Sequence, residues 1–82
     1  MDPVDAMRDL VAFLARALVD DPEAVDVQVV EGDRAYVLEL TVAEDDLGKV
    51  IGKEGRTARA MRTLLSSMSA RTRKRAVLDI LE

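Results

Sequence analysis

Leu47-Gly48-Lys49-Val50-Ile51-Gly52-Lys53-Glu54-Gly55-Arg56-Thr57-Ala58-Arg59-Ala60-Met61-Arg62-Thr63-Leu64-Leu65 is the stretch on which the fold turns. At its centre is a Gly-x-x-Gly turn, Gly52 to Gly55. A short apolar run, Leu47, Val50 and Ile51, leads in, and a helical pattern starting near Arg56 leads out. Two glycines three apart let the backbone turn tightly and leave no side chain between the turn and a ligand. The outgoing helix presents unpaired N–H groups and a positive dipole end at the same place, a geometry that suits phosphate. Lys53 and Arg56 add charge on the turn, and Lys49 adds more one helical turn earlier. A lone Gly-x-x-Gly is weak and equally fits a corner where Gly52 ends a helix. The wording Ile-Gly-Lys-x-Gly-Arg, the apolar flanks on both sides and the basic second helix together favour phosphate. Neither a P-loop nor a dinucleotide-binding glycine pattern is present.

Outward from this stretch the pattern is regular. Asp2-Pro3 starts a helix, and Val4, Met7, Leu10, Val11, Leu14 and Leu18 recur at helical spacing, predicting a helix over 3–20 with Phe13 and Ala17 widening its apolar face. Asp20-Asp21-Pro22 stops it. Val25, Val27 and Val29 alternate with polar residues as a half-buried strand. A tight turn at Gly32-Asp33 leads to a second strand over 35–42, paired antiparallel to the first. Glu44-Asp45-Asp46 reads as the solvated, acidic first turn of a short helix over 44–50. The helix over 56–68 places Ala58, Met61, Leu64, Leu65 and Met68 on one side and Arg56, Arg59, Thr63 and Ser66 on the other, with Arg62 near the boundary. Residues 69–72 form a loop, and Arg71 to Arg75 is a basic run entering a last strand at Ala76, Leu78 and Ile80. The order is that of an α+β layer, three strands with three helices on one face.

Composition narrows the function. The 82 residues predict one small domain, 1–82, with a modest core. The chain has no Cys and no His, which removes thiolate and imidazole metal ligands and the commonest general base. No cofactor, metal or catalytic residue is expected. There is no signal-peptide pattern and no bilayer-length apolar run, so a cytoplasmic protein without a membrane segment is expected. The net charge of −4 hides a sharp division. Residues 1–48 carry three Arg against 13 Asp/Glu, a net −10, whereas residues 49–75 carry nine Lys/Arg against Glu54 alone, a net +8. The basic segment contains the glycine turn, which is the local footprint a phosphate ligand needs.

The residues Val50 to Arg56, together with Leu14 to Val25, Gly48-Lys49 and Ala60 to Leu65, resemble a KH domain, and in particular the small bacterial KhpA family. The resemblance covers essentially the whole chain. It implies a type II KH fold (α-β-β-α-α-β) with a three-stranded mixed sheet, and RNA binding with a chaperone or post-transcriptional regulatory role. In such domains the turn clamps the backbone of a single strand. Carried onto this sequence, the RNA-binding residues are Lys49, Val50, Ile51, Gly52, Lys53, Glu54, Gly55, Arg56 and Arg59. The implied partners are single-stranded RNA, a second copy of the chain, or a larger KH protein of the Jag type. Two positions depart from the pattern. Glu54 sets a negative charge in the clamp, and Ala58 stands where KH sequences often have Ile. Phe13 and Tyr36 are the only aromatics and both fall on core-facing positions, so base stacking on aromatics is not expected.

Two further classes compete with RNA binding. A dimerisation module with a degenerate KH fold requires an exposed apolar patch around Met61, Leu64 and Met68. An enzyme requires a constellation of acid, base or nucleophile that this sequence does not supply. Nothing in the residues distinguishes RNA from single-stranded DNA.

Overall fold

The computed structural model describes residues 2–82. Its elements are α1 (Pro3–Leu18), β1 (Asp26–Glu31), β2 (Ala35–Thr41), α2 (Leu47–Ile51), α3 (Arg56–Ser69) and β3 (Arg75–Ile80), with 3-10 turns at Pro22–Ala24, Glu44–Asp46 and Lys53–Gly55. The sheet order is β1-β2-β3. The β1–β2 pair is antiparallel and the β2–β3 pair parallel, which makes the sheet mixed as expected. This is the α-β-β-α-α-β order of a type II KH fold.

Helix α1 begins where its sequence dictates. The Asp2 carboxylate accepts from the Val4 amide at 3.0 Å, and Pro3 fills the first helical position. Met7, Val11 and Ala15, four residues apart, form its fully buried stripe. The helix ends at Leu18, two residues short of the expected limit, because the amides of Asp20 and Asp21 donate to the Asp46 carboxylate instead of to helical carbonyls.

The strands show period-two burial. Leu38 and Leu40 of β2 and Leu78 of β3 are fully buried, while Gln28 and Asp79 face solvent. The pairs Val29↔Leu38, Leu38↔Leu78 and Leu40↔Ile80 stack this inner face across the sheet. The hairpin lies one residue later than expected: Glu31 pairs with Tyr36 and Gly32 N–H donates to Ala35 C=O at 2.8 Å, so Asp33 and Arg34 make the turn. Ala58, Met61 and Leu65 of α3, with Val50 of α2, close the core over the sheet.

Two expectations of burial are corrected. Phe13 is 68% exposed, and Leu64 is 46% exposed. Both lie at the margin of an apolar stripe whose centre is already filled, Phe13 beside Met7, Val11 and Ala15, and Leu64 beside Met61 and Leu65. A short helix over a small sheet buries only its central stripe, and wide apolar faces spill onto the surface.

Candidate nucleic-acid interface

The glycine turn is built by three departures from helical backbone, at Gly52, Glu54 and Gly55. Gly52 (φ 79°, ψ 169°) breaks α2, and its amide donates to Gly48 C=O at 2.9 Å to finish that helix. Glu54 (φ 58°, ψ 24°) and Gly55 (φ 74°, ψ 14°) are left-handed, and α3 starts at Arg56. The two glycines are required for different reasons. A Cβ on Gly52 would stand 2.2 Å from Thr57 Oγ1 and 2.8 Å from its backbone nitrogen, so Gly52 needs both its conformation and its lack of bulk. A Cβ on Gly55 would meet nothing within 4 Å, so there only the backbone angle asks for glycine.

Around the turn the cations divide by role. Lys53 and Arg56 are exposed on it. Arg56 lies 3.8 Å from the Glu54 carboxylate in an exposed pair, which offsets part of the negative charge in the clamp. Arg59 donates to Glu54 C=O at 3.3 Å, fastening the left-handed peptide. Lys49 is engaged elsewhere: its ammonium lies 3.0 Å from both Asp20 Oδ2 and Asp46 Oδ1, and these carboxylates push it above its ordinary value. Val50 is buried in the core beneath the turn and Ile51 is half-buried at the end of α2. The turn therefore gathers Gly52 to Gly55, Arg56 and Arg59, while Lys49 and Val50 anchor the helix that carries it.

Asp46 is the anchor that the sequence pattern concealed. Its side chain is buried and accepts from Asp20 N–H at 3.2 Å, Asp21 N–H at 3.1 Å and Lys49 Nζ at 3.0 Å. Burial alone would push its carboxyl up. The Lys49 hydrogen bond and the Asp21 and Asp20 amides outweigh that and hold it below the usual carboxylate value of 3.8. The acidic run Glu44-Asp45-Asp46 thus contains two exposed residues and one interior tether between α2 and the end of α1.

Beyond the turn, α3 packs against β3. Arg75 N–H donates to Arg34 C=O and Leu81 N–H to Leu40 C=O, so odd-numbered residues of β3 hydrogen-bond to β2. In a parallel ladder the backbone groups of Ala76, Leu78 and Ile80 then face the open edge of the sheet. Arg62 reaches that edge from α3, its Nη2 3.4 Å from Leu78 C=O. At the far end Lys74 pairs with Glu31 and lies over the Tyr36 ring at 5.0 Å, while Arg71, Arg73 and Arg75 are exposed. The sequence did hold a signal for Arg62: Arg56, Arg59 and Arg62 recur every third residue, a row that winds along one flank of a helix.

A helix–Gly-x-x-Gly–helix corner on a mixed three-stranded sheet, in this order, defines a KH domain of type II. A family model described as KhpA/KhpB, KH domain, matches residues 8–80. The chain belongs to that family. It is 47% identical to the RNA-binding protein KhpA of Chlamydia caviae, over 93% of this chain and 97% of that one. It is 47% identical to the RNA-binding protein KhpA of Aquifex aeolicus, over 96% of this chain and 100% of the relative. The protein of that name from Caldanaerobacter subterraneus is 45% identical over 92% of this chain and 100% of its own. No solved structure matches the chain. None of the helices among the described residues is long and apolar enough to cross a membrane.

Proposed function

We propose that this protein binds single-stranded RNA in the cytoplasm, as a chaperone or post-transcriptional regulator, with the turn from Gly52 to Gly55 as the backbone clamp. The observation that carries this is the conjunction of glycine turn, helix start and exposed cations at one point: Gly52, Gly55, Lys53, Arg56 and Arg59. Binding of this kind neutralises few phosphates, so it is weak, sensitive to salt and of low sequence specificity. The test is a titration of a labelled unstructured RNA at several salt concentrations with the wild type and the double variant Lys53→Asp with Glu54→Asp. The variant keeps both glycines and fills the clamp with negative charge. Its affinity is expected to fall by about tenfold or more, with a shallower salt slope. Equal binding by two equally folded proteins would move the site to Arg71–Arg75.

A second interaction has its own support. The flank of α3 away from β3 meets the end of α1 in an apolar groove of about 260 Å³ lined by Leu14, Ala17, Leu18, Ala60 and Leu64, with Phe13 exposed on α1. Met61 lies in its floor and is buried, so the exposed patch sits one flank round the helix from the expected Met61–Leu64–Met68 line. We propose that this flank seats a second copy of the chain, or the larger KH partner. Two weak clamps held together gain avidity. Leu64→Asp is expected to shift a sedimenting dimer to monomer with little change in Tm. An unchanged sedimentation coefficient, with the wild type dimeric, would place the interface elsewhere.

A further inference from the structure

Helix α1 turns Met7, Val11 and Ala15 into the core and carries Asp9, Ala12, Phe13, Arg16 and Ala17 on its outer face, around a shallow dimple of about 390 Å³. Phe13 is one of two aromatic residues in the chain and the most exposed large apolar side chain among the described residues. Exposed in this way it contributes little to the fold, and aromatic side chains are enriched where proteins meet. Asp9, Ala12, Phe13 and Arg16 stand three and four residues apart and share one face of the helix. On one side of Phe13 lie Leu14, Ala17 and Leu18, the rim of the apolar groove, and on the other lie Asp9 and Arg16.

This face is complementary to itself. Laid antiparallel on a second α1 with Ala12 opposite Phe13, it sets Asp9 opposite the second copy's Arg16, and Arg16 opposite the second copy's Asp9. A two-fold axis makes each such contact twice. A parallel arrangement would set like charges together instead. Asp9 is free to change partner, because its 3.8 Å pair with Arg8 is exposed and weak. The carboxylates farther out, Asp5 and Asp20, are already paired with Arg8 and Lys49 and bring no unpaired like charges together at the ends.

We infer that two copies of the chain pair through antiparallel α1 helices about Ala12 and Phe13, with two Asp9–Arg16 ion pairs on one flank and the apolar groove on the other. This rests on the second-copy reading above and fixes its occupant and orientation, since the surface that complements this face is the same face.

The experiment is sedimentation equilibrium of the full chain over a concentration series. Asp9→Arg and Arg16→Asp each turn two attractions into two repulsions, and each is expected to raise the dimer Kd by about tenfold or more. Asp9→Arg combined with Arg16→Asp in one chain reverses both pairs at unchanged net charge and is expected to return the Kd close to that of the wild type. An equimolar mixture of the two single variants is expected to form a heterodimer, which shows that neither loss comes from misfolding. Single variants that dimerise like the wild type overturn the inference, as does a combined variant or a mixture that stays as weak as the single variants. If Leu64→Asp dissociates the dimer and the charge reversals do not, the second-copy reading stands and this arrangement falls. A wild type that is monomeric at every concentration overturns the second-copy reading, and the inference with it.

Discussion

Gly52→Ala is expected to lower stability by roughly 2–4 kcal/mol, the combined cost of forcing a Cβ into a left-handed backbone and into a filled space. For a domain of this size that is a fall in Tm of about 10–25 °C. The added Cβ would lie 2.7 Å from Thr57 Cβ and 2.8 Å from Thr57 N, and the second of these is backbone that cannot step aside. Gly55→Ala has no such neighbour. Its cost is the left-handed conformation alone, about 1–2 kcal/mol. Differential scanning calorimetry of the two variants checks the ranking. The double variant Gly52→Ala with Thr57→Ala should recover part of the loss, since it removes the clash with Oγ1 and leaves those with the Cβ and backbone nitrogen of residue 57, and a double-mutant cycle measures that part. Equal Tm losses at the two glycines would mean that Thr57 moves freely and that Gly52 is required only for its angles.

Asp46→Ala is expected to be the most damaging single change among the charged residues, lowering Tm by about 10 °C or more. It leaves the amides of Asp20 and Asp21 without their carboxylate and strips Lys49 of one of its two partners. Thermal melts of Asp46→Ala and Glu44→Ala test this, since Glu44 belongs to the same acidic run and is exposed. The same carboxylate sets an acid limit. Because its folded value lies below its ordinary 3.8, its stabilisation is complete above that value and is lost as pH falls through the lowered folded one. The contribution of Asp46 to wild-type Tm should therefore be lost as pH falls below about 4, and Asp46→Asn should flatten that part of the curve. A pH profile identical in the two proteins would contradict the assignment.

Such a loss would reach the clamp as well as the fold. Asp46 and Lys49 tie α2 to the end of α1, and α2 delivers Gly52. A helix of five residues has little stability of its own. Its position is set by Val50 in the core on one side and by this ion-pair tether on the other. Charges at residues 46 and 49 thus hold α2 in place, Arg59 fastens the Glu54 peptide, and Lys53 and Arg56 are exposed on the turn.

Most of this architecture is local in origin, and local features can be read from the chain. Asp2-Pro3, the valine alternation from Val25 to Val29 and the four-residue recurrence of Met7, Val11 and Ala15 each act through neighbours in sequence. The Gly52–Gly55 turn is equally local, since its backbone angles need glycine whatever surrounds it. With the division of charge and the KhpA-like wording, these features determined the fold class and the location of the candidate site.

What the chain did not reveal depends on groups far apart in sequence. Asp46 is buried because amides 25 and 26 residues away need an acceptor, which makes an acidic run that looks solvated into an interior tether. The same region pairs Lys49 with the Asp20 and Asp46 carboxylates and ends α1 at Leu18. Arg62 acquires its place only when β3 returns parallel to β2 and sets Leu78 opposite it. Phe13 and Leu64 carry apolar side chains at helical spacing, yet the packing of three short helices on a small sheet leaves them outside. In each case residue type and periodicity give the chemistry, and only tertiary contact decides which partner, or which solvent, that chemistry meets.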